Sequence, residues 1–233
     1  MRAAVALLTV FGRSTAPTAR AWAWFPIVGA ALGMLVGGVW WGADELFPPL
    51  VAAVLVVAAD LAVTGMLHVD GLADAADGLL CHADRTERLR IMRTADVGAF
   101  GVAVVAAVLL AEVAALASQA VSVVLVVALW CVARTTIVAA PAFLRYVRDE
   151  GMATRMLSGP VGAWPLAALV PAGALAAIGD GWRGFGAVVA AVVAGAGVLA
   201  LARRRIGGYT GDVLGAAVVM GQAAGLVVGA ADW

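Results

Sequence analysis

Asp70, Asp74 and Asp77 stand at i, i+4 and i+7 in the segment Thr64-Gly65-Met66-Leu67-His68-Val69-Asp70-Gly71-Leu72-Ala73-Asp74-Ala75-Ala76-Asp77-Gly78, at the end of a long apolar run. On a helix this spacing places all three carboxylates within an arc of roughly 60°. Ionised acids that close repel one another. Beside a membrane the least costly way to keep them charged is a hard divalent cation, so Mg²⁺ is the expected ion, Asp70, Asp74 and Asp77 its expected ligands, and a phosphate compound its expected companion. Gly71 and Gly78 flank the acids and would let a phosphate approach the backbone. The plainer alternative is a solvated segment in which the acids cap helices and the glycines make turns.

Other residue types suit the same chemistry. His68, two residues before Asp70, points roughly 160° away from the acids on a continuous helix. Only a helix break near Gly71 would bring it to the site as a base or phosphate donor. Arg134 lies inside an apolar span, roughly 9 Å from its arginine-rich end, where it either snorkels to the interface or clamps a polyphosphate. Arg93 and Arg148 are weighed in the same way. Thr210 and Asp212, among Gly207, Gly208 and Gly211 at the opening of the last span, are candidates for a cap, a metal ligand or a phosphate contact. Asp60 and Glu112 are lone acids within spans, expected to serve structure more than chemistry.

The elements that must position these residues are set by the lipid-like composition: 233 residues, 64% hydrophobic and 13% charged, with a mean hydropathy of +1.02. Seven apolar stretches can cross a core of roughly 30 Å: about Phe25–Ala43, Leu50–Leu67, Val97–Ala117, Val121–Ala140, Val161–Ile178, Phe185–Ala202 and Val213–Ala231. Their wealth of Ala, Gly and Val favours close helix packing, so the expected fold is all-α, a polytopic transmembrane bundle forming a single domain over residues 1–233. Transmembrane β-strands would be about ten residues long with alternating polarity, a pattern this chain lacks. The Ala3–Val10 run is too short to span and is expected at the interface as a short helix. Trp22, Trp24, Trp40 and Trp41 bracket the first span as belt residues do.

Every one of the 15 basic residues is Arg. Thirteen fall on one side of the expected topology, leaving Arg183 on the other and Arg134 within a span. The positive-inside rule then puts the N-terminus and the acid triad in the cytoplasm, at a bacterial or archaeal cytoplasmic (inner) membrane. The net charge of zero is segregated by side, and nothing points to a nucleic-acid partner. Cys81 and Cys131 show no metal-ligand spacing and are expected to be structural.

Several blocks together carry a family resemblance. Thr64-Gly65, His68, Asp70-Gly71-Leu72-Ala73-Asp74 and Asp77-Gly78 resemble the signature of the cobalamin synthase family, the adenosylcobinamide-GDP ribazoletransferases. Trp24-Phe25-Pro26-Ile27-Val28-Gly29, Ile91-Met92-Arg93 with Gly98-Ala99-Phe100-Gly101, Tyr146-Val147-Arg148-Asp149-Glu150-Gly151 and Gly207 to Ala216 are similar to further blocks of that family, in order along nearly the whole chain. The chain departs from it at Thr94-Ala95-Asp96, where many members have Asp-Ser-Arg or Asp-Ser-His. The resemblance implies an Mg²⁺-dependent membrane phosphotransferase. Its expected substrates are a nucleotide-activated corrinoid, adenosylcobinamide-GDP, and α-ribazole or its 5′-phosphate, giving adenosylcobalamin or its phosphate plus GMP. A homo-oligomer is left open. Two rivals stand beside it: a CDP-alcohol phosphotransferase of phospholipid synthesis, whose longer Asp-Gly-x-x-Ala-Arg signature is missing, and a secondary transporter with Asp60, Glu112 and the triad as a cation or proton path, against which the dense acid cluster lies at one interface and no internal repeat is evident.

Overall fold

The structure, a computed structural model, describes residues 1–12, 19–148 and 164–232. Arg13, Arg155, the start of the expected fifth span and the Asp149-Glu150-Gly151 end of one family block lie outside the described residues. Helices α1 (Arg2–Leu8), α2 (Phe25–Asp44), α3 (Pro49–Thr64), α4 (Leu67–Leu80), α5 (Arg85–Ile91), α6 (Ala99–Ala117), α7 (Val123–Phe143), α8 (Leu169–Ile206) and α9 (Gly211–Gly229) account for the architecture, with 3-10 turns at Ala19–Trp24 and Trp164–Ala168. The bundle is all-α as expected; one isolated bridge pairs Tyr146 with Tyr209 among the described residues.

Among the described residues five helical segments are long and apolar enough to cross a membrane, and the bent pair α3–α4 makes a sixth if it is counted as one span. One of the five, Trp164–Ile206, folds back on itself. Asp180 and Gly181 leave the helical region, Gly181 at φ 63°, and Gly184 returns to pack directly on the Ala176 carbonyl. A straight helix would hold residues 176 and 184 about 12 Å apart. This hairpin contributes two passes, in agreement with the fifth and sixth spans read from the sequence.

Small residues set the packing. Gly29, Gly33 and Gly37 form a ladder on α2 against α7, where a Cβ would lie 2.5 Å from the Trp130 carbonyl oxygen, 2.7 Å from the Val127 Cα and 3.0 Å from a Val123 methyl. In lipid, such close approach of backbones drives association through dispersion. Trp22 and Trp40 correct the belt expectation: both are buried in the core, Trp22 with its ring centroid 4.9 Å from that of Phe25, whereas Trp24 and Trp41 are exposed.

The two ends of the bundle differ. At one, Ser122 donates to the Asp180 carboxylate at 2.7 Å, and Arg183 lies 3.9 Å from Asp232. At the other, arginine-rich end lie α4, α5 and the Tyr146–Tyr209 bridge. The decisive local feature is the α3–α4 corner. Gly65 ends α3 at φ 59°, Met66 follows at φ 59°, and two successive left-handed residues turn the chain by 91°. Helix α4 therefore leaves the direction of the spans and runs across the arginine-rich end of the bundle.

Candidate functional site

Helix α4 is continuous from Leu67 to Leu80, so its acid face is intact and graded in depth: Asp70 is exposed, Asp74 half-buried and Asp77 buried. Asp77 turns inward. Its carboxylate accepts from the Gly98 N–H at 2.7 Å and the Gly101 N–H at 2.9 Å, satisfying the orphan amides that open α6. The expected third metal ligand is thus a helix cap supplied from a neighbouring helix. Asp74 feels the carboxylates of Asp212, Asp70 and Asp77; burial first, then that repulsion, raise its carboxyl to about 6, against a smaller lowering by Arg148.

Helix α9 brings the partner groups. Arg148 donates to the Asp212 carboxylate at 2.5 Å and to the Met92 carbonyl at 2.8 Å, tying the end of α5 to the start of α9. Thr210 is fully buried; its hydroxyl caps α9 by accepting from the Val213 N–H at 3.3 Å and donates to Asp212 at 3.2 Å. It serves the cap and offers no surface to a phosphate. Asp70, Asp74, Arg148 and Asp212, drawn from three distant blocks, are the candidates that the fold brings into one electrostatic neighbourhood.

The glycines do something other than expected. Gly71 is buried where α4 crosses α9, and a Cβ there would lie 2.9 Å from the Asp212 carbonyl oxygen and 3.3 Å from the Gly215 Cα. Gly78 is filled in by the Met92 side chain. Both allow protein to approach protein, which leaves no room for a phosphate.

His68 is buried behind the acid face, because the helix breaks before it, at Gly65–Met66, and not at Gly71. Burial, and secondarily the charge of Arg134, hold its imidazole well below the usual range. Buried there, it does not line the acid face with Asp70 and Asp74. Arg134, also fully buried, neither snorkels nor reaches an arriving polyphosphate. It sits within a polar knot between α3, α6, α7 and α9: Trp130 donates to Asp60 at 2.7 Å, and the Gln222 amide oxygen, oriented toward the arginine, accepts from Arg134 at 2.8 Å. Asp60 and Glu112 are its nearest acidic neighbours, as structural counter-charges. Arg93 is exposed at the end of α5, free to meet solvent.

Two arginines read from sequence only as topology markers act as caps. Arg88 is buried and donates to the Gly78 and Leu79 carbonyls at 3.0 and 2.7 Å, and Arg85 to the Ile206 carbonyl at 2.8 Å. They close the C-termini of α4 and α8, which spacing alone did not signal.

Among the described residues no three His, Cys, Asp or Glu side chains form a ready-made cage for a metal. The donor set nevertheless fits Mg²⁺, which keeps several waters and is commonly held by one or two carboxylates together with substrate phosphates. Asp70 and Asp74 supply two hard oxygen donors in a neighbourhood with surplus negative charge.

The match to known proteins runs along the whole chain: residues 1–230 fit the family described as cobalamin-5-phosphate synthase. The chain belongs to this family. Relatives named adenosylcobinamide-GDP ribazoletransferase include one from Halorubrum lacusprofundi, 34% identical over 226 residues that cover 90% of this chain and 86% of the relative. Another, from Prosthecochloris aestuarii, is 34% identical over 231 residues, 93% of this chain and 90% of the relative. One from Escherichia coli is 32% identical over 203 residues, covering 85% and 82%. No solved structure matches. Membership in the cobalamin-5-phosphate synthase family displaces the transporter and phospholipid-synthesis readings, and it accounts for the convergence of blocks far apart in sequence on one face of α4.

Proposed function

We propose that this membrane protein joins adenosylcobinamide-GDP to α-ribazole or its 5′-phosphate, giving adenosylcobalamin or its phosphate and releasing GMP, with the acid face open to the cytoplasm. The observation that carries this reading is the meeting of Asp70 and Asp74 with the Arg148–Asp212 pair inside a chain that matches the family from residue 1 to 230.

In the reaction a ribazole hydroxyl oxygen forms a new bond to the phosphorus on the cobinamide side of the pyrophosphate. The anhydride bond to the second phosphorus breaks, GMP departs with the bridging oxygen, and the hydroxyl proton must be taken up. Asp70 and Asp74 would hold Mg²⁺, which when bound neutralises the pyrophosphate and the developing charge on the departing GMP. The carboxyl of Asp74 is raised to about 6, and an oxygen of it not engaged elsewhere is the acceptor for the hydroxyl proton. Arg148 keeps Asp212 fixed beside that acid and balances part of its charge. The right-angle corner at Gly65–Met66 holds the whole face at the membrane surface, within reach of a large water-soluble corrinoid.

The direct test is GMP release from adenosylcobinamide-GDP by purified protein in detergent, with and without α-ribazole and Mg²⁺. Release requiring both, with a cobalamin product, is expected. No release by folded protein overturns the reading.

A further inference from the structure

A cleft of about 340 Å³ opens beside the acid face, between the ends of α4 and α5 and the first turn of α6. Asp77 forms one wall, and Ile91, Thr94, Asp96, Val97 and Phe100 form much of the rest. The volume suits a small ligand or one ring system of a larger one.

Its electrostatics select the ligand. The amides of Gly98 and Gly101, which at an open helix start would attract phosphate, are taken by Asp77. Two carboxylates line the cleft and no cation does. An anionic group is therefore repelled, while a neutral group rich in N–H donors is attracted. Thr94 donates its hydroxyl proton to the Ile91 carbonyl at 2.7 Å, so toward the cleft its oxygen can only accept. Asp96 is exposed, and among the described residues it has no hydrogen-bond or ion-pair partner, leaving both carboxylate oxygens for a ligand. The Phe100 ring, 45% exposed, and the side chains of Ile91 and Val97 supply apolar walls for a flat ring.

A flat heterocycle with two adjacent donors on one edge meets all of these demands. Guanine has them in its N1–H and 2-amino groups, and a benzimidazole has none. Resting on the transferase reading above, we propose that this cleft receives the guanine base of the nucleotide-activated substrate, with Asp96 accepting from N1–H and the 2-amino group and Phe100 stacking on the ring. The phosphates then extend past Asp77 toward Asp74 and Asp70, where a bound Mg²⁺ would offset the negative charge.

The test is binding of GMP, XMP and AMP to the purified full chain in detergent with Mg²⁺, followed by equilibrium dialysis, for the wild type, Asp96→Asn and Phe100→Ala. The wild type should prefer GMP to XMP and to AMP by about tenfold or more, the scale of one bidentate contact. Asp96→Asn replaces one acceptor by a donor, and xanthine carries an acceptor where guanine carries the 2-amino group. The GMP preference should therefore invert toward XMP, a swap that loss of folding cannot mimic. Phe100→Ala should weaken all three nucleotides together by about tenfold, as loss of stacking does. An unchanged GMP:XMP ratio in Asp96→Asn, with wild type still binding GMP, overturns the cleft assignment and leaves the transferase reading intact. A wild type that binds all three alike, or none, likewise overturns the cleft assignment, while the transferase reading stands or falls separately on GMP release.

Discussion

The chain builds two clusters from the same residue types, acids with an arginine, and places them differently. At the arginine-rich end Asp70, Asp74, Asp212 and Arg148 remain partly exposed. Within the spans Asp60 and Arg134 are linked through Trp130 and Gln222, with Glu112 nearby and Arg134 fully buried. The first cluster carries more negative charge than its own arginine offsets and is accessible to solutes. The second lies between the helices, with Arg134 fully buried, Glu112 buried and Asp60 half-buried. Access and unbalanced charge, more than the residue types, separate a reacting surface from a strut.

The sharpest way to break this comparison is to exchange charge for neutral shape in each cluster. Asp74→Asn or Asp70→Asn should lower GMP release on the order of 10³-fold, the scale of losing one transition-state electrostatic contact, with little change in melting temperature. Wild-type turnover in both variants would remove the acid face from catalysis. Arg134→Leu should do the reverse. It removes the Gln222 contact and the positive charge that faces Asp60 and Glu112, and should cost on the order of 1–3 kcal/mol of stability, read as a lowered thermal midpoint in detergent. Unaltered melting would show that the knot is not a strut.

Asp77 tests the boundary between the two regions, because it lies on the acid face yet is engaged as a cap. Asp77→Ala should cost about 1–2 kcal/mol through the freed amides of α6, and reduce turnover far less than Asp74→Asn. Equal loss of turnover at matched stability would restore it as a ligand.

The smallest effect is on pH. The Asp74 carboxyl is raised to about 6, above the unfolded value of 3.8, so the folded state binds the proton more tightly than the unfolded one. The resulting stabilisation is full below pH 3.8 and disappears as pH rises through 6. Thermal scans of metal-free protein should show this decline, and Asp74→Asn should flatten it. An identical profile in the variant would assign the decline to another group.

Much of this was legible in the residues. The seven apolar stretches follow from composition, and the hairpin within Trp164–Ile206 turns at Asp180–Gly181, in the polar break that separates the fifth stretch from the sixth. The shared face of Asp70 and Asp74 follows from helix periodicity, which is local. Arg148 and Asp212 were candidates one by one, yet nothing in a spacing of 64 residues announces a salt bridge. Gly71 and Gly78 read as phosphate-friendly because absence of a side chain suits any close neighbour, and only packing shows that the neighbours are α9 and Met92.

By itself the sequence determined the lipid-embedded helical class, the acid face on α4, the sidedness of the arginines and the family, since each depends on composition or on order along the chain. Tertiary structure alone decided that Asp77 caps α6, that His68 faces away, that Arg134 is sealed in a knot and that Asp212 joins Asp74. The reason is physical: periodicity fixes the direction of a side chain around its own helix, whereas its partner and its access to water depend on which helix lies opposite and how closely the glycines let it come.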